Sequence, residues 1–255
     1  MLKKVTLASF FNIKKDVINM EHKVVKRGFI PTDKKEFNEE SMFTLKKAQN
    51  DIIYLIENGY PIKSSSTFVG NHYLLSDRQR LAIVRATSTK EIIAERKTKC
   101  IGTDFTPKKV MIDGLNLIIT LEVALSNSTL IKCMDGTVRD LAGLRGTYRL
   151  IDKTELAIQL IGNKLMDMKI DEVIFYLDSP VSNTGRLKLL ILEILLEFPY
   201  KVSVELVNNA DVLLENQSNV VTTDAIILNR CKSWFNIATE IIDESIPSVR
   251  LIDLS

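Results

Sequence analysis

The sequence predicts an α/β protein in which a parallel sheet flanked by helices follows a small all-helical N-terminal domain. From residue 108 onward, short runs rich in Val, Ile and Phe alternate with amphipathic stretches of helical length, which is typical of a parallel sheet. Between residues 41 and 99, apolar residues instead recur with helical spacing. The linker 100–109 contains Gly, Thr and Pro and separates the two regions. We therefore predict a helical, basic domain at residues 1–104 and an α/β domain at residues 105–255.

The helical domain is predicted to contain four helices. The first spans residues 41–60 and has apolar residues along one face. Residues that favour helix starts and stops divide the remaining segment into three shorter helices. In chain order these signals are the Asn58-Gly59 stop, Pro61, the Ser76-Asp77 pair and Thr89.

The α/β domain is predicted to contain strands that are connected by right-handed crossover helices. The predicted strands or extended segments are 109–113, 128–136, 171–178, 201–207, 219–224 and the tail 249–254. The predicted helices are 152–168, 183–198 and 209–217, and strand 219–224 leads into the apolar segment 225–242. Residues 137–148 are predicted to form a polar loop or a short helix. Trp234 and Phe235 are predicted to pack in the interior rather than to stack on a ligand.

Composition excludes several classes of protein. Hydrophobic residues make up 45% and charged residues 26%, which is ordinary for a globular protein that buries a sizeable core. No apolar run is long enough to span a membrane, and the N-terminus lacks a convincing signal-peptide cleavage site. The three cysteines are widely spaced and there are only two histidines, which argues against disulfides and against a zinc site. We expect a cytoplasmic protein with no membrane contact.

The net charge of +2 hides a separation of charge along the chain. Residues 1–106 carry a net charge of +7 and residues 107–255 a net charge of −5. A basic region can hold a polyanion, and clustered carboxylates can hold cations. Such segregation is also common among soluble proteins in general, so both interpretations are open at this point.

Four aspartates fall where predicted strands end. Asp113, Asp178 and Asp224 close the strands "VMI", "VIFYL" and "VVTT", and Asp211 begins a short helix behind another strand. A single aspartate in such a place is more often a helix N-cap than a ligand. Because the carboxyl ends of parallel strands meet at one edge of the sheet, however, four carboxylates would gather there. Carboxylates this close repel each other unless they are protonated or bridged by a cation, and acidic oxygen sites select Mg²⁺ or Mn²⁺.

The motifs around these acids resemble those of PIN-like nucleases of the NYN type. The motifs are "IDGLN" (112–116), "FYLDSP" (175–180), "NNADVLL" (208–214) and "VVTTDAIIL" (220–228). The resemblance implies a PIN-like Rossmannoid sheet that carries a metal-dependent nuclease site. In that site, Asp113, Asp178, Asp211 and Asp224 would hold the metal, and Asn116 would orient a ligand or water.

The whole chain is also similar to an uncharacterised prokaryotic family that joins a small helical domain of unknown function to a PIN-like domain. The stretches "RGFIPTDKK", "FVGNHYLLSDRQRLA" and "RCKSWFN" support this similarity. Val212 and Ala225 occupy positions where many NYN-type nucleases carry further acids. Glu122 is a candidate to replace one of them.

Two further segments carry candidate phosphate-binding residues. In "MDGTVRDLAGLRGTYR" (134–149), Arg139 and Arg145 could clamp a phosphate, and Asp140 could add to the acidic site. Arg78 and Arg85 are seven residues apart on a predicted helix and therefore share a face, which could bind a nucleic-acid backbone. The structural alternatives are internal salt bridges in the first segment and a solvated helix face in the second.

The leading hypothesis is a Mg²⁺- or Mn²⁺-dependent nuclease, with RNA favoured over DNA as the substrate. The alternative is a non-catalytic RNA- or DNA-binding protein on a degenerate PIN-like scaffold. A nucleotide-handling enzyme is a third hypothesis, but the sequence lacks G-x-G-x-x-G, a Walker lysine motif and D-x-D-x-T after the first strand. The sequence is compatible with a homo-oligomer and does not determine the oligomeric state.

Overall fold

The computed structural model describes residues 25–102, 105–143 and 146–255. The helices are α1 (Asp33–Glu36), α2 (Glu39–Glu57), α3 (Ile62–His72), α4 (Asp77–Ala86), α5 (Lys90–Lys99), α6 (Gly114–Leu125), α7 (Thr154–Asp167), α8 (Thr184–Leu195), α9 (Ala210–Leu214), α10 (Ala225–Arg230) and α11 (Ile237–Ser245). The strands are β1 (Lys109–Asp113), β2 (Thr129–Lys132), β3 (Val138–Asp140), β4 (Glu172–Asp178), β5 (Lys201–Val207), β6 (Val220–Val221), β7 (Trp234–Phe235) and β8 (Arg250–Asp253). The predicted α/β class, with a parallel sheet flanked by helices after a helical region, is confirmed.

The helical region follows the predicted start and stop signals. Ser76 and Gln79 form a capping box at the start of α4, in which each side chain accepts a hydrogen bond from the backbone N–H of the other residue. The Thr89 side chain accepts a backbone N–H at the start of α5. Helix α2 ends before Asn58, and Gly59 then adopts a φ of +84°, a conformation that glycine reaches without steric cost.

The main sheet contains five parallel strands in the order β5-β4-β1-β6-β7. Strand β1 lies at its centre, where Ile112 is paired with Phe175 of β4 and with Val221 of β6. These three side chains are buried, in keeping with a parallel sheet that is covered on both faces. The carboxyl ends of β1, β4, β5 and β6 consequently lie along one edge of the sheet.

A second, three-stranded sheet has the order β3-β2-β8. The predicted strand 128–136 ends early at Lys132, and the segment 137–148, predicted as a loop or short helix, contributes β3 instead. The reason is a tight turn: Gly136 takes a φ of +84° and its N–H donates to Cys133 O at 2.9 Å, so the chain reverses into an antiparallel pair. The tail forms β8 as predicted, but it pairs with β2 and not with the main sheet.

The apolar segment 225–242 divides into α10, β7 and α11. Trp234 and Phe235 form β7 and extend the main sheet beside Val220 and Val221. Both aromatic side chains are buried, which confirms the prediction that they pack in the interior. The Trp234 indole N–H also donates to Arg96 O at 2.8 Å, so this strand is tied to the end of α5.

The helical region packs against the second sheet. Leu45 and Ile83 from the helices share one buried cluster with Ile131 of β2 and Leu254 at the tail. Gln49 adds a buried hydrogen bond to Leu254 O at 2.8 Å. A separate, larger core surrounds the main sheet. The predicted division at residue 104 stays a prediction.

Within the ranges that the structure describes, no helix has both the length and the apolar character that crossing a bilayer requires.

Candidate acidic site

One cavity of about 540 Å³ lies at the carboxyl edge of the main sheet and is lined by all four predicted aspartates. Asp113 is the last residue of β1, the central strand, and Asp178 is the last residue of β4. Asp211 lies in the first turn of α9, directly after β5, and Asp224 caps α10, directly after β6. The topology of the sheet thus brings the four residues together, although the first and the last of them, Asp113 and Asp224, are more than 100 positions apart in the chain.

Asp113 is the most buried of these acids. Its Oδ2 accepts the Thr222 hydroxyl at 2.9 Å, and its Oδ1 accepts the backbone N–H of Asn116 at 3.4 Å, which caps α6. Burial, together with the negative charges of Asp224 and Asp211, raises the pKa of Asp113 to about 7 against the opposing hydrogen bond from Thr222. Near neutral pH this carboxyl group is therefore poised between its protonated and ionised forms.

Asp178 and Asp211 are linked through the backbone. Asp178 Oδ1 accepts the N–H of Ala210 at 2.8 Å, which fixes the start of α9 and hence the position of Asp211. Burial raises the pKa of Asp211, and the charges of Asp224 and Asp178 add to this effect. Neighbouring carboxylates across the cavity therefore disfavour ionisation of Asp113 and Asp211.

Asn116 lies on the same cavity and holds the loop before α10. Its side-chain Oδ1 accepts both the N–H of Thr223 at 3.0 Å and the Thr223 hydroxyl at 2.9 Å. The oxygen therefore faces Thr223, and the amide nitrogen has no partner among the described residues. That nitrogen is a free hydrogen-bond donor for a phosphate oxygen or a water molecule.

The donor chemistry of the cavity fits a hard divalent cation. The four predicted aspartates offer oxygen atoms, and no histidine or cysteine among the described residues lines the cavity. Burial is the main cause of the raised pKa values of Asp113 and Asp211, and repulsion from neighbouring carboxylates adds to it; a bound cation would relieve that repulsion. Within residues 25–102, 105–143 and 146–255, however, no three His, Cys, Asp or Glu side chains are grouped closely enough to hold one ion. The acids share a cavity without forming a preassembled set of ligands.

Arg139 also lines the cavity, but its guanidinium is used internally. Nε donates to Thr223 O at 2.6 Å, one Nη donates to Arg85 O, and the other Nη donates to Asp135 Oδ2 at 2.5 Å. Arg139 therefore holds the loop that carries Asp224, and it supports the site from behind.

Among the described residues that line the cavity, Arg85 is an accessible cation. It lies 3.5 Å from Asp140 Oδ1, and a third of its side chain is exposed. Asp140 lines the same cavity, where burial raises its pKa in opposition to the charge of Arg85. Asp140 also accepts the N–H of Ala142 at 2.7 Å and the Thr120 hydroxyl at 3.3 Å, so protein groups contact both of its oxygens.

Two of the predicted basic residues are placed differently. Arg78 does not line the cavity: its Nε and one Nη each donate to an oxygen of the Asp33 carboxylate at 2.9 Å. Its shared face with Arg85 is nevertheless real, because the two side chains donate to the successive carbonyls of Leu141 and Asp140. Arg145 lies outside the described residues.

Glu122 is not part of the acidic cavity. It is fully buried, and it accepts hydrogen bonds from Arg27 Nε at 2.8 Å and from the Tyr148 hydroxyl at 2.6 Å. The hypothesis that Glu122 replaces a missing acid at the site is therefore wrong, since its carboxylate is committed to Arg27.

Residues 103–240, more than half of the chain, match the family described as "Domain of unknown function (DUF5616)". The chain belongs to the DUF5616 family. The four predicted aspartates of the cavity, and Asp140 with them, lie inside the DUF5616 segment. Residues 44–99 match a second family, described as "Protein of unknown function (DUF434)", and Arg85 lies in that DUF434 segment.

A relative from Methanocaldococcus jannaschii, the uncharacterised protein MJ0935, is 37% identical over 187 residues. The aligned region covers 72% of this chain and 89% of the relative. No solved structure matches the chain. The predicted membership of an uncharacterised family with two parts is thus confirmed, and the resemblance to NYN-type nucleases stays a prediction.

A buried ionic network joins the DUF434 segment to the DUF5616 segment beside the cavity. Arg96, at the end of α5, donates to Asp135 Oδ2 at 2.6 Å and to Asn229 Oδ1 at 2.8 Å. The same Asp135 oxygen accepts from Arg139. The sequence did not single out Arg96, because it lies in the basic run "ERKTK", which is typical of a solvated helix end. The hydroxyl of Thr222, which supports Asp113, was missed as well, although it lies two residues before Asp224.

Gly114 in the DUF5616 segment is required for close packing behind the cavity. A Cβ at this position would lie 2.7 Å from Leu177 Cδ2 and 3.1 Å from Tyr176 O. We therefore expect Gly114→Ala to lower the free energy of unfolding, measured in urea, by about 1–3 kcal/mol, as overpacking does. Gly185 is the matched control, because it also lies in the first turn of a helix and a Cβ there meets nothing within 4 Å. Gly185→Ala should be neutral or stabilising by up to about 1 kcal/mol, and equal losses in both variants would contradict the packing argument.

Proposed function

We propose that this protein is a Mg²⁺- or Mn²⁺-dependent nuclease that hydrolyses phosphodiester bonds. One observation carries the proposal: four aspartates from four separate elements line a single cavity at the carboxyl edge of the parallel sheet. In open parallel sheets this edge is where ligands bind. The raised pKa of Asp113, caused by burial and then by neighbouring carboxylates, supports a cavity with an unbalanced negative charge.

Asp113, Asp178, Asp211 and Asp224 would hold the ion. When it is bound, the ion supplies positive charge beside the phosphate and acidifies water for attack on phosphorus. The Asn116 amide nitrogen would orient the phosphate or the attacking water by donating a hydrogen bond. Arg85 would neutralise a phosphate oxygen at the other side of the cavity, since its guanidinium is partly exposed there.

Arg139 would act as a positioning residue through its hydrogen bond to Thr223 O. The preference for RNA over DNA rests on the resemblance to NYN-type nucleases. The cytoplasmic location and the homo-oligomer stay predictions.

A non-catalytic RNA- or DNA-binding protein is the second candidate. It is favoured by the lack of a preassembled group of metal ligands among the described residues. Ala225, which lines the cavity, and Val212, which is exposed, also leave the site with fewer carboxylates than many NYN-type nucleases have. Such a protein would bind nucleic acid in a salt-dependent manner without cleaving it.

Cleavage of labelled single-stranded RNA and DNA, with Mn²⁺ or with a chelator, tests the proposal. We expect Mn²⁺-dependent cleavage that falls by at least about 10–100-fold in Asp113→Asn and in Asp224→Asn. Losing a residue that only hydrogen-bonds to a metal ligand already has an effect of this size, and losing a ligand should have at least as large an effect. Asparagine caps helices as well as aspartate does, so both variants keep the caps of α6 and α10 and remove only charge.

Asp152→Asn is the control, because Asp152 is a surface carboxylate that does not line the cavity. Cleavage that survives both site substitutions would reject the assignment of these acids. Salt-sensitive binding without any cleavage would support the binding protein instead.

A further inference from the structure

A second, smaller cavity of about 180 Å³ lies between α2 and α3, on the surface of the helical region. Its rim consists of four aromatic rings and one carboxylate, and its floor is formed by Leu55 and Val69. The rim residues are Asp51, Tyr54, Phe68, His72 and Tyr73. Nothing in the proposed nuclease mechanism uses this cavity, which shares no lining residue with the acidic site.

The aromatic rings at the rim are exposed to an unusual degree. Tyr54 is 70% exposed and Phe68 is 71% exposed, so neither ring contributes much to the core. His72 and Tyr73 are fixed against each other edge to face, with ring centroids 4.8 Å apart and planes at 85°. Large exposed rings that are gathered around one depression mark a binding surface more often than a structural feature.

The carboxylate at the rim gives the cavity a negative charge. Asp51 Oδ2 accepts the Tyr73 hydroxyl at 2.8 Å, and this is the carboxylate's only partner among the described residues, none of which pairs with it as a cation. Lys47, one turn earlier on α2, stands over the Phe43 ring at 4.3 Å instead. A carboxylate that shares a small cavity with aromatic rings attracts cations and repels phosphates.

We propose that this cavity, the aromatic cage of Asp51, Tyr54, Phe68, His72 and Tyr73, binds a lysine or arginine side chain of a protein partner. Its volume is below the range of about 300–1,000 Å³ that is usual for cofactors and drug-sized ligands, and it suits a single side chain. Its charge complements an ammonium or guanidinium group. The same charge disfavours nucleic acid and anionic membrane surfaces as occupants.

The test is a titration of the full-length protein followed by the aromatic NMR signals. The probe is N-acetyl-lysine methylamide, and its neutral counterpart is N-acetyl-norleucine methylamide, which has the same chain without the ammonium group. We expect saturable shifts of the Tyr54, Phe68 and Tyr73 rings with the lysine probe only. Equal shifts with the norleucine probe, or no ring shifts with lysine, would overturn the proposal.

Two variants separate the parts of the cage. Asp51→Asn removes the charge, and Phe68→Leu removes a ring face while keeping an apolar side chain at an exposed position. Each should weaken binding of the lysine probe by about two- to fivefold, the usual size of a single exposed cation–π contact or surface ion pair. Unchanged affinity in both variants would overturn the assignment.

Two further titrations distinguish the cage from a competing site and a competing ligand. Ring shifts must persist in Asp113→Asn, since a cationic probe can also enter the acidic cavity, and their loss there would count against the cage.

Choline tests for a small quaternary ammonium ligand, and binding of choline without binding of the lysine probe would overturn the assignment to a protein partner. RNA binding should be unchanged in Phe68→Leu, and a loss would identify the rings as a nucleic-acid surface.

Discussion

Asp135→Ala is expected to lower the free energy of unfolding by about 3–5 kcal/mol, the usual cost of breaking a buried ion pair by removing one partner. The Asp135 side chain is only 1% exposed, and its Oδ2 lies 2.6 Å from Arg96 Nη1 and 2.5 Å from Arg139 Nη2. Both guanidinium groups are themselves nearly inaccessible. Without Asp135, two buried cations would face each other with no counter-charge between them.

The effect of Asp135 should depend on pH in a defined direction. Burial alone would raise the pKa of Asp135, but the charge of Arg139 and the hydrogen bonds from Thr137 outweigh burial and lower it. A lowered pKa in the folded state means that the stabilisation is complete above the unfolded value of about 4 and is lost as the pH falls through the folded value. The difference between wild type and Asp135→Ala should therefore be full at pH 7 and shrink in acid.

Urea unfolding at pH 7 and below measures both expectations. Asp152→Ala is the control, since its carboxylate is 52% exposed beside Lys153 and surface pairs contribute about 0–1 kcal/mol. A loss in Asp135→Ala no larger than in this control would show that the network does not stabilise the fold. Because Arg139 also donates to Thr223 O, cleavage should fall in Asp135→Ala together with stability.

The positions of the four acids could be predicted because a parallel sheet leaves little freedom at its carboxyl edge. Once β1, β4, β5 and β6 run in the same direction side by side, whatever follows each strand lies at the same edge. Asp113 and Asp178 terminate strands that are direct neighbours in the sheet. The sequence shows both the strands and the acids that follow them, so no tertiary detail was needed to bring these residues together.

The ionic network could not be predicted in the same way, because it depends on contacts between distant segments. The buried Arg96 has partners from β7 and α10: its backbone carbonyl accepts the Trp234 indole N–H, and its Nε donates to Asn229. Asp135 lies in the turn before β3, within a hairpin that the sequence patterns did not resolve. Charged residues are usually predicted to lie on the surface. The buried charges of Arg96 and Asp135 are stable only because folding gives each of them an oppositely charged partner.

The roles of Arg78, Arg85 and Arg139 could not be predicted, because they depend on which guanidinium N–H groups remain without a partner in the folded protein. Arg78, Arg85 and Arg139 are alike in sequence, as arginines in polar segments. Arg78 donates two hydrogen bonds to the Asp33 carboxylate, and Arg139 donates to three acceptors. A third of the Arg85 side chain remains exposed at the cavity. Hydrogen bonds to backbone carbonyls leave no trace in a sequence, so the three roles cannot be distinguished there.

Asp113→Asn is expected to stabilise the metal-free protein at alkaline pH while it lowers cleavage by at least about 10–100-fold. The pKa of Asp113 is raised from 3.8 to about 7, first by burial and then by Asp224 and Asp211, so the folded chain holds this proton more tightly than the unfolded chain. Wild-type stability should then fall as the pH rises from about 4 to 7 and stay low above that. At about 1.4 kcal/mol per pKa unit, the full effect is up to about 4 kcal/mol.

Urea midpoints between pH 4 and pH 9, with a chelator present, measure this expectation. Asparagine does not titrate, so the advantage of Asp113→Asn should be absent near pH 4, grow towards pH 7 and level off above it. Its side-chain oxygen can still accept the Thr222 hydroxyl and cap α6, which keeps the geometry matched. A difference between the proteins that is constant over this pH range would show that ionisation of Asp113 is not costly.

Adding Mn²⁺ to the same experiment tests whether a bound ion offsets the destabilisation that the ionised Asp113 causes in the acidic cavity. An ion that binds only the folded state at 100 times its dissociation constant stabilises by about 2.7 kcal/mol. Wild type should gain this stabilisation at pH 8, and Asp113→Asn should gain much less. The difference in the free energy of unfolding between the two proteins should therefore shrink or change sign when the ion is present. If neither protein gains, the repulsion among the four carboxylates is not relieved by a metal, and the non-catalytic binding function becomes the better account of the site.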